Sequence, residues 1–277
     1  HFFRPRGAAP RHPPPSFRAL GGRTRARGAG MAASDGIRSR PLHYKLHPER
    51  TPATSLAGVA PSLLLLLHGT GDSENGLLPL GALAPRGTVV ASLRAPLSAP
   101  FGGFRWFEGK SAAPESQALE RTIGASTAAL FDLIEAAPAE LGTDPKRVYL
   151  LGFSQGATLT WSALLHRWPR ESFIAGAAAL SGRLMPELLQ PGTPLGARAA
   201  PAAQLAHVPI LCTHGGRDQV TPVAFGRANV RLFTAWQEQS SSAASALAYH
   251  ELPRDAHGLS HECQGLVREF LSQHLAT

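Results

Sequence analysis

The sequence predicts an α/β fold over residues 41–277, a mostly parallel sheet with helices on both faces. Three observations lead there. From Pro41 onward, short apolar runs alternate with longer amphipathic ones, the pattern whose crossovers place helices over both faces of a parallel sheet. Two of the runs, Leu63–Leu67 and Val148–Leu151, are apolar throughout, as a strand buried on both faces requires. The second passes through Gly152-Phe153-Ser154-Gln155-Gly156 into a helical pattern of Ala157, Trp161, Leu164 and Leu165 that stops before Pro169.

Taken in chain order, the apolar runs place strands at Leu42–Leu46, Leu63–Leu67, Thr88–Leu93, Val148–Leu151, Phe173–Leu180, Ile210–Thr213 and Leu247–Leu252. The longer amphipathic runs place helices at Pro114–Ala137, Gln155–Arg167, Pro222–Gln239 and His261–His274. In the last of these, Leu266, Val267, Phe270, Leu271 and His274 form one face. Leu184–Gln204 carries Pro186, Pro191, Pro194 and Pro201 and reads as a loop-rich excursion. No internal repeat is visible.

Composition bounds the rest. With 17% charged and 43% hydrophobic residues, most of the 277-residue chain has the makeup of a folded domain. Residues 1–34 differ: they hold seven arginines, five prolines and no acidic residue. Without those arginines the net charge falls from +8 to +1, so the basic character belongs to a segment, residues 1–40, expected to be disordered. Three readings fit it: an organellar transit peptide, a basic arm for a nucleic-acid or membrane surface, or translated sequence upstream of a start at Met31. Nothing else supports a nucleic-acid partner. Two cysteines, Cys212 and Cys263, suggest free thiols in a reducing compartment. The apolar runs are far too short to cross a bilayer. The expected location is the cytoplasm, with an organelle as the alternative should the leader be a transit peptide.

The chemistry centres on Ser154. A serine between two glycines on a sharp strand-to-helix turn is a nucleophile elbow, with its hydroxyl presented above the sheet. It needs a base, and the base needs an acid to set its tautomer. Asp218 follows the Ile210–Thr213 strand and His257 follows the strand ending at Leu252, in the order Ser, Asp, His. Asp255 is a rival acid, but it lies two residues from His257 on one loop. His261 is a rival base at the expected start of the last helix. His257 and His261 have the spacing of a zinc pair without its glutamate, so no metal is expected. Two backbone N–H groups must meet the oxyanion: that of Gln155, and one from His68-Gly69-Thr70-Gly71, with Thr70 the expected donor. Phe101–Phe107 holds four aromatics in seven positions, either core packing or an apolar wall for an acyl chain with Trp106 as the pocket residue.

These stretches together resemble the phospholipase/carboxylesterase family of α/β-hydrolases, which includes acyl-protein thioesterases. The resemblance rests on Leu67-His68-Gly69-x-Gly71-Asp72, Trp106-Phe107, Asp144-Pro145-x-Arg147-Val148-Tyr149-Leu150-x-Gly152-Phe153-Ser154-Gln155-Gly156, Ser181-Gly182, His214-Gly215-x-x-Asp218-x-Val220-x-Pro222 and His257-Gly258-Leu259-Ser260. It implies the α/β-hydrolase fold, Ser154, Asp218 and His257 as triad, Thr70 and Gln155 as oxyanion donors, and cofactor-free hydrolysis of esters or thioesters. Ala157 and Ala256 depart from the family's usual residues, which weakens a specific claim to protein depalmitoylation. The expected substrate is a small or lipid-like acyl ester or thioester. The alternative is a non-catalytic ligand receptor of the same fold, which a turnover assay on short and long acyl esters separates.

Overall fold

The computed structural model describes residues 41–50, 59–109, 117–165, 174–185, 205, 207–239 and 247–275. The basic segment at residues 1–40 lies outside them, as do residues 114–116, 166, 167 and 173 at the edges of expected elements and most of the expected 184–204 excursion.

Nine strands and four α-helices are described: β1 (His43–Leu46), β2 (Leu63–Leu67), β3 (Val89–Arg94), β4 (Leu97–Ser98), β5 (Phe104–Arg105), α1 (Gln117–Leu141), β6 (Val148–Phe153), α2 (Gln155–Leu165), β7 (Ile174–Leu180), β8 (Ile210–Gly215), α3 (Val223–Gln239), β9 (Leu247–Leu252) and α4 (His261–Leu275). Seven strands form one sheet in the order β1-β3-β2-β6-β7-β8-β9. The edge strand β1 is antiparallel to β3 and every other pairing is parallel. This is the α/β fold that the alternating pattern predicts.

The strand period of two sorts the core into two layers. Leu63, Leu65, Leu67, Val148 and Leu150 face Leu130 and Ile134 of α1, Leu159 and Trp161 of α2, and Phe233 of α3. Leu64, Leu66, Tyr149 and Leu151 face Val267, Phe270 and Leu271 of α4 and the 3-10 helix at Leu78–Leu83. All five leucines of β2 are fully buried, each a gain of about 1.5–3 kcal/mol over exposure. Among the described residues no helix is long and apolar enough to cross a membrane.

The departures from expectation have local causes. Helix α1 continues through Pro138 to Leu141, because Leu141 still packs on the core and the Gly142 N–H closes onto the Pro138 carbonyl. Strands β6 and β8 run two residues past their predicted ends, to Phe153 and Gly215, carried by parallel pairing. The two-residue strands β4 and β5 form a hairpin that was not expected, and an isolated bridge ties Phe104 to Asp72. The parallel strands end together at Leu67, Phe153, Leu180, Gly215 and Leu252, so the loops bearing the candidate residues share one edge of the sheet.

Candidate active site

Ser154 is the single residue between β6 and α2, and its φ of +55° lies in the left-handed region that a non-glycine residue enters only under strain. The turn is closed by the Ser154 N–H, which donates to Leu180 O at 2.9 Å, and by the Thr158 N–H, which donates to Ser154 O at 3.1 Å. The flanking glycines are steric requirements. A β-carbon on Gly156 would overlap the Leu67 carbonyl of β2, and one on Gly152 would overlap the Gly156 carbonyl. Helix and strand therefore cross too closely for any side chain at either position. The Ala157 methyl, one residue on, packs against Gly182.

The structure brings Ser154, His257 and Asp218 into hydrogen-bond contact. His257 Nδ1 lies 2.6 Å from Asp218 Oδ2 and its Nε2 lies 2.9 Å from Ser154 Oγ. A carboxylate can only accept, so Nδ1 carries the proton and Nε2 is left to accept the serine O–H. The second carboxylate oxygen of Asp218 accepts from the N–H groups of Val220 at 2.9 Å and Thr221 at 2.8 Å. The Asp218 side chain has no exposed surface, and that of His257 is 15% exposed. The rivals point elsewhere: Asp255 is bonded to Ser260, and His261 is exposed at the start of α4.

The loop after β2 packs directly on the elbow. A β-carbon on Gly69 would stand 3.3 Å from both Ser154 Cβ and Phe153 Cδ1. The β5 strand holds this loop, with the Gly71 N–H on Phe104 O at 2.8 Å and the Phe104 N–H on Asp72 O at 2.8 Å. Arg94 grips Glu74 with two guanidinium nitrogens and lies 4.8 Å over the Phe104 ring, which joins loop, hairpin and β3; the guanidinium holds the Glu74 carboxyl down at about 2. The Thr70 and Gln155 N–H groups take no part in the backbone bonds of these described segments. They are the two donors expected at an oxyanion.

Two histidines without an assigned role prove to be buried supports. His68 accepts the Ala95 N–H on Nε2 at 3.1 Å, so its Nδ1–H donates to Gly69 O at 2.6 Å. His214 donates Nε2–H to Thr221 O at 2.7 Å, beside Asp218. Burial pushes both imidazoles below their ordinary pKa, which keeps them neutral. Each stands immediately before a glycine at the end of a strand, His68-Gly69 and His214-Gly215, and that repeated position was the available signal.

Trp106, the residue expected in an acyl-chain wall, has no exposed surface in the structure, and neither has Phe107. The Trp106 indole N–H donates to His68 O at 2.8 Å and its main-chain N–H to Gln155 Oε1 at 2.7 Å. Of the two accounts of the aromatic run, core packing describes both residues.

Comparison with known proteins bears on this arrangement. The sequence profile described as phospholipase/carboxylesterase matches residues 55–275. An oxidized polyvinyl alcohol hydrolase from a Pseudomonas species is 29% identical over 210 residues, 67% of this chain and 53% of that protein. The chain spans about half the length of the curated relatives it matches, 44% of one and 53% of another. Among solved structures, the esterase PE8 superposes with a TM-score of 0.67 at 23% identity, covering 85% of this chain and 100% of that one. The acyl-protein thioesterase 2 of Zea mays gives a TM-score of 0.61 at 20% identity, covering 84% and 99%. At such identities the superpositions establish the shared α/β-hydrolase fold.

Proposed function

Since the chain belongs to the phospholipase/carboxylesterase family of hydrolases, we propose that it hydrolyses carboxylic esters or thioesters through an acyl-enzyme on Ser154. The observation that carries this reading is the continuous hydrogen-bonded line from Asp218 through His257 to Ser154 Oγ, with spacings of 2.6 and 2.9 Å.

The steps follow from that line. Ser154 Oγ attacks the substrate carbonyl carbon as its proton passes to His257 Nε2, and Asp218 stabilises the resulting imidazolium. The carbonyl oxygen takes the negative charge, met by the N–H groups of Thr70 and Gln155; one such donor is worth about 10²–10³ in rate. The bond to the alcohol or thiol then breaks, and His257 returns the proton to the leaving group. Water attacks the acyl-enzyme with His257 again as base, which frees the acid and restores Ser154.

A fluorophosphonate probe tests the reading. Peptide mapping should find the label on Ser154, and Ser154→Ala should abolish both labelling and turnover of p-nitrophenyl acyl esters. Full turnover by Ser154→Ala would refute the assignment. Rates on acyl esters and acyl thioesters of graded length then define the substrate.

A further inference from the structure

We propose that Trp106 is a positioning residue that ties the two oxyanion donors, Thr70 N–H and Gln155 N–H, into one hydrogen-bonded unit. The inference rests on the acyl-enzyme reading above and concerns how its oxyanion site is kept in shape.

On one side, the Trp106 indole N–H donates to the His68 carbonyl at 2.8 Å, and the His68 Nδ1–H donates to the Gly69 carbonyl at 2.6 Å. No cis peptide bond occurs in the described backbone, and in a trans peptide the N–H points opposite to the C=O. Holding the Gly69 carbonyl on the imidazole therefore turns the Thr70 N–H away from it. On the other side, the Trp106 main-chain N–H donates to Gln155 Oε1 at 2.7 Å, while Gln155 Nε2 donates to the Phe107 carbonyl at 2.9 Å. These two bonds clamp the first residue of α2, whose own N–H is the second donor. The hydroxyl of Ser126 takes the Trp106 carbonyl. All three polar groups of Trp106 are thus engaged, in buried surroundings where leaving one unpaired is costly. The two sets of bonds are distinct but meet at Trp106, through its indole on one side and its main chain on the other.

Trp161 supplies an internal control. It is equally buried, but its indole N–H has no hydrogen-bond partner among the described residues. Trp161→Phe removes the same volume as Trp106→Phe without removing a bond.

The test measures kcat and KM on a p-nitrophenyl acyl ester, and the inhibition constant of an acyl trifluoromethyl ketone, whose adduct places a negative oxygen at the oxyanion position. Trp106→Phe and the near-isosteric Gln155→Met should each lower kcat about 10- to 100-fold with KM within about twofold. The inhibition constant should rise in proportion, and the double variant should lose less than the product of the singles. Trp161→Phe should keep kcat and inhibitor affinity within about twofold. An unchanged kcat in Trp106→Phe, a raised KM with kcat intact, an equal loss in Trp161→Phe, or multiplicative singles would each overturn the proposal. If Trp106→Phe does not fold, Gln155→Met decides by the same split. Ser154→Ala separates the levels. If it retains turnover, the acyl-enzyme reading falls and this proposal with it; if it is inactive while Trp106→Phe is unaffected, only the proposal falls.

Discussion

His214 Nε2 lies 3.5 Å from Asp218 Oδ2, and neither side chain has any exposed surface. The primary bond of that nitrogen is to the Thr221 carbonyl at 2.7 Å, while the Thr221 N–H returns to Asp218 Oδ1 at 2.8 Å. The loop from Asp218 to Thr221 is therefore closed around its own carboxylate, with the imidazole as the pin. The other ring nitrogen, Nδ1, has no hydrogen-bond partner among the described residues and is packed against Gly226. That unpaired buried nitrogen carries a desolvation cost of about 1–3 kcal/mol.

His214→Ala should therefore affect both stability and turnover. It leaves the buried Thr221 carbonyl unpaired and opens a cavity, for an expected loss of about 2–4 kcal/mol by urea denaturation. The freed carboxylate should lower kcat about tenfold with KM little changed. His214→Gln, which keeps an N–H donor at similar reach, should recover most of the kcat. A wild-type kcat in His214→Ala would show that the loop holds Asp218 without it.

Stability should fall on mild acidification. Burial lowers the pKa of His68, His214 and His274 in the folded chain, while in the unfolded chain they titrate near 6.5. Below about pH 6.5 the unfolded state thus binds more protons, so stability fully present above that pH is lost as the pH drops toward the folded values. Glu74, held at about 2 by Arg94, weakens folding only below the ordinary carboxylate range and does not confuse the window. Urea midpoints should decline from about pH 7.5 to 5.5, and His214→Gln should flatten the slope. A flat profile in the parent chain would contradict the buried neutral imidazoles.

What the sequence made legible was whatever depends on local pattern. Leu63–Leu67 and Leu247–Leu252 match the expected strands to the residue, and the strand before Ser154 and the helix after it start where expected, because period and glycine punctuation are local signals. Long-range pairing was not visible. The β4–β5 hairpin has two residues per strand, and its position depends on Asp72, thirty-two residues before Phe104. The fate of Trp106 was undecidable for the same reason, since its partners His68 and Gln155 lie 38 and 49 residues away. The tautomer of His68 depends on the Ala95 N–H and that of His214 on the Thr221 carbonyl, partners that no motif spacing encodes.

Glycine substitutions should separate steric need from mere presence. Gly156→Ala puts a methyl into the Leu67 carbonyl and must push α2 off β2, for an expected loss of at least about 3 kcal/mol. Gly265 lies within α4, and a β-carbon there meets nothing within 4 Å. Gly265→Ala should raise stability by about 0.5–1 kcal/mol through helix propensity. Thermal melts of the two variants check both signs at once, and a tolerated Gly156→Ala would mean the helix–strand crossing is looser than its geometry.

The elbow itself should be a site where function opposes stability. Ser154 holds φ at +55°, a conformation whose penalty comes from the β-carbon and not from the hydroxyl. Ser154→Ala keeps that β-carbon and its strain, whereas Ser154→Gly removes both. Both variants lack the proposed nucleophile, so both should be inactive on acyl esters, yet the glycine variant should be about 1 kcal/mol more stable than the alanine variant. The difference is smaller than the strain alone, because glycine also gains freedom in the unfolded chain. Differential scanning calorimetry of the pair measures it directly. If alanine proved the more stable, the strain at Ser154 would be too small to matter, and the turn would owe its shape to the Leu180 and Thr158 bonds alone.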